Sequence, residues 1–243
     1  MLTLIVDGDP LLFRCGWGSK SLNHAFKKYE KALQDIKNCC FNIDSTKIAV
    51  FGDSNFRVAF CPKYKSGTGR KKAKEKNPNY FLLRKKLVEE GLVTPAHGME
   101  ADDLVRIWAE EEKAKGNDYI IASIDKDLHC IEGTHYLIHR DAFLHMSEDE
   151  ADLHYWTQVL TGDSVDDIPG LWMVGPVKAG KILEGATTSK ERKQRVIDAY
   201  YDAHGVDWKE NMMHTGTLIH IMRTPTDMFS LQDTDKPSES EDG

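Results

Sequence analysis

The sequence contains no C-x-x-C pair, and its five cysteines (Cys15, Cys39, Cys40, Cys61, Cys130) are odd in number. That excludes a disulfide framework and a zinc knuckle, and it suits a reducing cytoplasm, the host's if the chain is viral. No apolar run approaches the roughly 20 residues that span a bilayer, so no membrane partner is expected. The N-terminus enters an apolar strand directly, without a basic n-region or long h-region, so no signal peptide is expected. There is no internal repeat. The ten histidines show no metal spacing; His135 and His139 share a strand face without a third partner and are expected to be packed or wet. Trp156, Trp172 and Trp208 are expected in the core or between helices.

What is present is enough for a core. The 243 residues are 40% apolar and 29% charged, which fits one large α/β domain, alone or with a small appendage. Net charge is −7, which taken as an average speaks against a polyanion binder. The average hides a segregation. Between Arg57 and Lys86, eleven Lys/Arg face Glu75 alone, a balance of +10, and the remainder carries −17. A basic stretch on an acidic body suggests a polyanion gripped at one place and carboxylates gathered for metal at another. Taken alone, the basic run also fits a solvated lysine-rich loop, the weaker of the two readings.

The pattern along the chain alternates. Leu2–Val6 reads as a buried strand, and apolar residues from Leu22 to Cys40 at three- and four-residue steps predict a helix over 21–42. Lys47–Phe51 and Asp118–Ile124 read as strands, and "THYLIH" as a fourth. Tyr80–Glu90 and "GMEADDLVRIWAEEEKAKG" read as helices, the second with acids crowding its first turn, where the dipole favours them. Strands alternating with helices imply a parallel sheet covered on both faces, whose ligands bind beyond the carboxyl ends of the strands. Asp7, Asp53 and Asp125 each stand at such an end. From about Thr161 to Leu231 the pattern is helical, and "QDTDKPSESEDG" (232–243) reads as a disordered acidic tail.

Three chemistries compete for these residues. Asp7-Gly8-Asp9 after a strand, with "GDSVDD" (Gly162–Asp167) downstream, fits an aspartate-dependent phosphatase, but Leu11 follows Pro10 where Thr or Val is expected. "GPVKAGK" (Gly175–Lys181) has phosphate-loop spacing, but Ile182 offers no hydroxyl and no strand leads in; a turn between helices explains its glycines. A carboxylate cluster explains more. Glu100 and Asp103 are i,i+3 on one helix face, and Asp102 joins them at the helix end. Asp125 and Asp127 share one side of an extended segment, and Asp163, Asp166 and Asp167 stand at the mouth of the helical region. So many acids cannot ionise side by side without cations, and an all-oxygen set suits Mg²⁺ or Mn²⁺. Asp9 and Asp167 are each explained as well by a cap or turn.

"IVDGDPLLFR", "VFGDSNFRVAFCPKYK", "GMEADDLVRIWA", "SIDKDLHCI" and "TGDSVDDIPGLWMVG" resemble, in order, the blocks of the 5′→3′ exonuclease/flap endonuclease family, including its compact bacteriophage members. The likeness runs to about Leu183. It implies an α/β, PIN-like parallel-sheet 5′-nuclease catalytic domain (1–160) with helices on both faces, then a small all-α helix–hairpin–helix DNA-binding subdomain (161–231). It places Asp7, Asp53, Glu100, Asp102, Asp103, Asp125, Asp127, Asp163 and Asp166 on the family's metal acids. Lys65 falls on the lysine that reaches the scissile phosphate, Tyr64 on a base-stacking aromatic, and Arg57 on the "FR" arginine. Departures stand beside these. Arg70 lies five residues beyond Lys65 instead of three, Met173 replaces a hairpin glycine, and the following lysine is displaced to Lys178.

The expected reaction is phosphodiester hydrolysis by two-metal catalysis, Lys65 offsetting charge in the transition state. Arg70, Lys71, Lys72 and Lys74 would guide the 5′ strand, with Tyr64 and Tyr80 stacking on bases. Gly175, Lys178 and Lys181 would hold duplex phosphates, with a K⁺ ion at the hairpin. Expected partners are DNA 5′ ends, flaps, nicked or branched duplexes and RNA:DNA hybrids, bound by a monomer. The alternative from another class is a non-catalytic binder of branched DNA.

Overall fold

Side-chain alternation decides how the first strands are used. In β1 (Leu2–Asp7), Leu4 and Val6 pack on one face and Ile5 on the other; in β2 (Ser45–Phe51), Ile48 and Val50 oppose Ala49. Strands apolar on both sides need helices on both sides. The computed structural model, which describes residues 1–66 and 77–238, supplies them.

On one face lie α1 (Gly8–Gly16), α2 (Leu22–Cys39) and α4 (Pro78–Glu89), contributing Leu11, Leu12, Ala25, Tyr29, Ile36, Leu83 and Leu87 to one core. Between α2 and α4 comes the short helix α3 (Phe56–Phe60). The other face is covered by α5 (Ala101–Ala114), whose Ala101, Val105 and Ala109 recur at four-residue steps against Ile5 and Ala49.

Past β2 come β3 (Thr94–Ala96), β4 (Asp118–Ser123), β5 (Gly133–Leu137) and β6 (Ala142–Met146). The sheet order is β3-β2-β1-β4-β5-β6, parallel except for the antiparallel pair β5–β6. Sequence periodicity misses β3 and β6. The first is three residues long and contains Pro95; the second is an edge strand with Phe143 exposed, so neither carries a buried run. Strand order reverses at β1, which pairs with β2 on one side and β4 on the other. Such a switch point opens a crevice at the carboxyl ends of those strands.

Two glycines hold that rim together. A Cβ on Gly8 would stand 2.7 Å from the Ala49 carbonyl oxygen, and one on Gly52 only 1.6 Å from that of Ala96. Asp7 and Asp53 therefore sit next to positions where backbones touch.

The C-terminal part is helical: α6 (Glu148–Thr161), α7 (Pro176–Leu183), α8 (Ser189–His204) and α9 (Trp208–Ile219), plus a two-residue hairpin, β7 (Gly162–Asp163) with β8 (Ile168–Pro169). Trp156, Leu160, Leu171, Val174, Leu183, Ile197, Tyr200, Trp208 and Met212 form its own core. Three expectations change here. Gly175–Lys181 is not a turn: Gly175 caps α7 and the rest lies within it. Trp172 is not core but 87% exposed. The acidic tail is not free as far as Ser238. Lys193 Nζ meets Asp235 at 2.6 Å and the Ser238 amide donates to Asp198 at 2.7 Å, because α8 offers that segment charged partners. Among the described residues no helix is long and apolar enough to cross a membrane.

Candidate active site

The carboxylates reach the rim from different elements. Asp7 ends β1; Asp125 follows β4, and Asp127 opens a 3₁₀ turn (Asp127–Cys130). Asp102 is in the first turn of α5, while Asp163 and Asp166 lie at the hairpin after α6. Ser123 ties two of these strands together: its hydroxyl donates to Asp7 Oδ2 at 2.8 Å and accepts from the Asp125 amide at 2.9 Å. The Asp127 amide donates to Asp125 Oδ1 at 2.9 Å, and Gln158 Nε2 of α6 holds Asp127 Oδ1 at 2.7 Å. Asp163 Oδ1 accepts from the amides of Val165 (2.7 Å) and Asp166 (3.3 Å).

Electrostatics shows which of them face one another. Burial, then the charges of Asp9 and Asp125, pushes Asp7 up to about 7 against the opposing Ser123 hydrogen bond. Desolvation, then Asp7 and Asp125, raises Asp102 well above the carboxylate range. Burial, then Asp125 and Asp163, brings Asp127 to about 6. Burial is the larger cause in each case, and the neighbouring carboxylate charges add to it.

One cation of the chain is already among them. Lys65 Nζ lies 2.7 Å from Glu100 Oε1 and 3.4 Å from Asp166 Oδ2. Burial works against its charge, but Glu100 and its neighbours raise its pKa well above the ordinary lysine value. Burial would lift Glu100, yet Lys65 and Arg57 overcome that and hold it below its usual value. The Lys65 amide also donates to the Asp166 carbonyl at 3.0 Å, with φ at +51°.

A divalent cation fits the donor chemistry of this rim: oxygen ligands only, and carboxylates pressed toward protonation. Among the described residues no three His, Cys, Asp or Glu side chains close on one point as a finished ligand set. The acids stand as neighbours, with Lys65 paired to Glu100 and Asp166 among them.

Four expected roles are corrected by the geometry. Asp103 is fully buried; its oxygens accept from Arg57 Nη1 (2.6 Å), Arg57 Nη2 (2.8 Å), the Glu100 amide (2.9 Å) and the Met222 amide (3.0 Å). It has no lone pair directed at a metal. Arg57, 1% exposed, spends its guanidinium on Asp103 and on the carbonyls of Leu218 and His220, with Glu100 Oε2 at 3.4 Å, so it joins α3 to α5 and the chain around α9. Tyr64 is packed in the helical core with its hydroxyl on Glu100 at 2.6 Å, and Tyr80 is buried with its hydroxyl on Asp9 at 3.0 Å. Neither ring face is free to stack on a base.

Other expected site residues lie elsewhere. Asp53 is on the rim but exposed, paired with His97 Nδ1 at 3.1 Å; that hydrogen bond, foremost, lowers its pKa. Lys178 and Lys181 are exposed on α7 beside Gly175. Arg70, Lys71, Lys72 and Lys74 lie outside the described residues. Both oxygens of Asp9 accept hydrogen bonds, Oδ2 from the Phe51 amide at 2.7 Å and Oδ1 from the Tyr80 hydroxyl, which ties the second acid of the phosphatase-like motif into the fold. Sequence reasoning missed Ser123 and Gln158. Ser123 stands two residues before Asp125, a local signal in the sequence; Gln158 is 31 residues from its partner and carries none.

A family profile described as 5′-3′ exonuclease, N-terminal resolvase-like domain, matches residues 2–155. DNA polymerase I of Rhizobium leguminosarum is 29% identical over 175 residues, 63% of this chain but only 16% of that protein. The 5′-3′ exonuclease of Mycoplasma genitalium is 23% identical over 212 residues, covering 74% of this chain and 71% of its own length. The fold is shared with a bacteriophage T5 flap endonuclease solved as a pseudo-enzyme–product complex with DNA and metal ions. Its TM-score is 0.63 at 15% identity, over 90% of this chain and 99% of that one.

Proposed function

This chain belongs to the 5′-3′ exonuclease family, and on that premise we propose that it hydrolyses phosphodiester bonds at DNA 5′ ends and flaps with two divalent cations, Mg²⁺ or Mn²⁺. The observation that carries the proposal is the gathering of Asp7, Asp102 and Asp127 around Asp125 on one strand rim, where burial first and the Asp125 charge after it raise all three, with Lys65 alongside. Asp7, Asp102, Asp125, Asp127, Asp163 and Asp166, with Glu100, would hold the cations, some of them through water. When bound, the cations supply the charge that acidifies a water and offsets the phosphate. Lys65, paired with Glu100 and Asp166 at the rim, would offer its ammonium to charge developing on the scissile phosphate. Ser123 and Gln158 keep Asp7 and Asp127 turned to the rim. The amides at the start of α7, with Lys178 and Lys181, would hold duplex phosphates without reading sequence.

The test is release of nucleotides from a 5′-labelled flap, a nick and an RNA-primed duplex side by side. Cleavage should need Mg²⁺, stop with EDTA, and fall by a factor of about 10² or more in Asp125→Ala. Full activity of Asp125→Ala would remove the site assignment.

A further inference from the structure

Residues 171–174 close as a tight turn, with the Val174 amide on the Leu171 carbonyl at 3.0 Å and both end residues buried. The two corner residues are Trp172 and Met173, 87% and 77% exposed. Met173 has φ +56°, the left-handed conformation that favours glycine or asparagine at the third position of a turn. A methionine here raises the free energy of the free protein and is not repaid by burial. An exposed tryptophan beside it is likewise unfavourable in water. A strained methionine and an exposed tryptophan side by side mark this corner as a candidate contact surface.

The neighbouring surface indicates what that is. Immediately after the turn, α7 begins with Gly175 as a cap that supplies no side-chain acceptor, and nothing lies within 4 Å of where a Cβ would be. A groove there is lined by Gly175, Pro176, Val177, Lys178 and Lys181, with no acid among these residues. Unsatisfied amides, the positive helix end and two lysines match a phosphate backbone. A flat aromatic and a thioether next to a phosphate groove match a nucleobase next to its own phosphate. We propose that Trp172 and Met173 form an apolar prong that stacks on a base face exposed where the duplex is interrupted, while α7 holds the adjoining backbone. The inference rests on the nuclease reading and adds to it a residue pair that selects interrupted over continuous duplexes.

The experiment uses the full chain in Ca²⁺ with gapped and continuous duplexes of equal length, 2-aminopurine replacing the base at the gap. Anisotropy and 2-aminopurine fluorescence are read for the parent, Trp172→Ala, Trp172→Phe and Met173→Gly. Trp172→Ala should weaken gapped-duplex binding about tenfold, lose the fluorescence change, and keep the salt slope, whereas Trp172→Phe retains most of the affinity. Met173→Gly should melt at a higher temperature yet bind the gapped duplex more weakly, which separates contact from folding. If Trp172→Ala and Met173→Gly bind like the parent with unchanged fluorescence, the prong is refuted and the nuclease reading stands. If the parent binds no duplex, both fall. If Trp172→Ala instead splits a dimer in sedimentation with DNA binding intact, the pair is a self-contact and the proposal is overturned.

Discussion

Arg57 and Asp103, 46 residues apart, form a buried two-point ion pair with nitrogen–oxygen distances of 2.6 and 2.8 Å. Two further backbone amides complete Asp103, and the carbonyls of Leu218 and His220 complete Arg57. The pair fastens the rim helix α5 to the segment on either side of the end of α9.

A satisfied buried pair contributes little net stability, but breaking it leaves an uncompensated charge. Arg57→Met should therefore destabilise the protein by about 3–5 kcal/mol, read by urea unfolding. Arg57→Met combined with Asp103→Leu should recover a large part of that loss. Loss of cleavage at full stability would return Arg57 to the catalytic group.

The pair also explains a misreading of the sequence. Asp103 does lie on the side of Glu100, the cap of α5, as their spacing requires, but its carboxylate is taken up by Arg57. The residue between them, Asp102, is the one that interacts with Asp7 and Asp125. Acids at the ends of apolar strands were legible because strand and carboxylate are adjacent in the chain. Arg57, Tyr64 and Tyr80 were not, since a basic or aromatic residue in a polar stretch reads alike whether it faces solvent or a partner far along the chain. The alternation of strand and helix was equally local; β3 and β6 lacked a buried run to announce them.

Asp7 sets a pH dependence for the metal-free protein. It keeps its proton to about 7 when folded and to 3.8 when exposed, so between these values the folded state binds more protons. Stability contributed through Asp7 accordingly falls as pH rises through that window. In EDTA, Asp7→Asn should match the parent near pH 4 and exceed it by about 2–4 kcal/mol near pH 7.5. Saturating Mg²⁺ should reverse the ranking, because only the parent gains fully from binding. A parent that stays the less stable in Mg²⁺ would contradict the assignment.

His135 acts in the opposite sense. It is 2% exposed and burial lowers it to about 4, although its Nε2 contacts the Ile131 carbonyl at 2.8 Å. Its folded pKa lies below the unfolded 6.5, so stability present above 6.5 is lost as pH falls toward 4. The loss amounts to about 3 kcal/mol for this group. Urea midpoints of His135→Gln between pH 7 and 4 should fall less steeply than those of the parent; parallel curves would rule the group out.

Manganese binding probes the convergence of acids most directly. Crystals soaked in Mn²⁺ and measured at the manganese edge should show two anomalous peaks among Asp7, Asp102, Asp125, Asp127, Asp163 and Asp166, and none in Asp125→Ala at the position nearest that residue. Saturating manganese that leaves this rim empty, or the same two peaks in Asp125→Ala, would contradict the account.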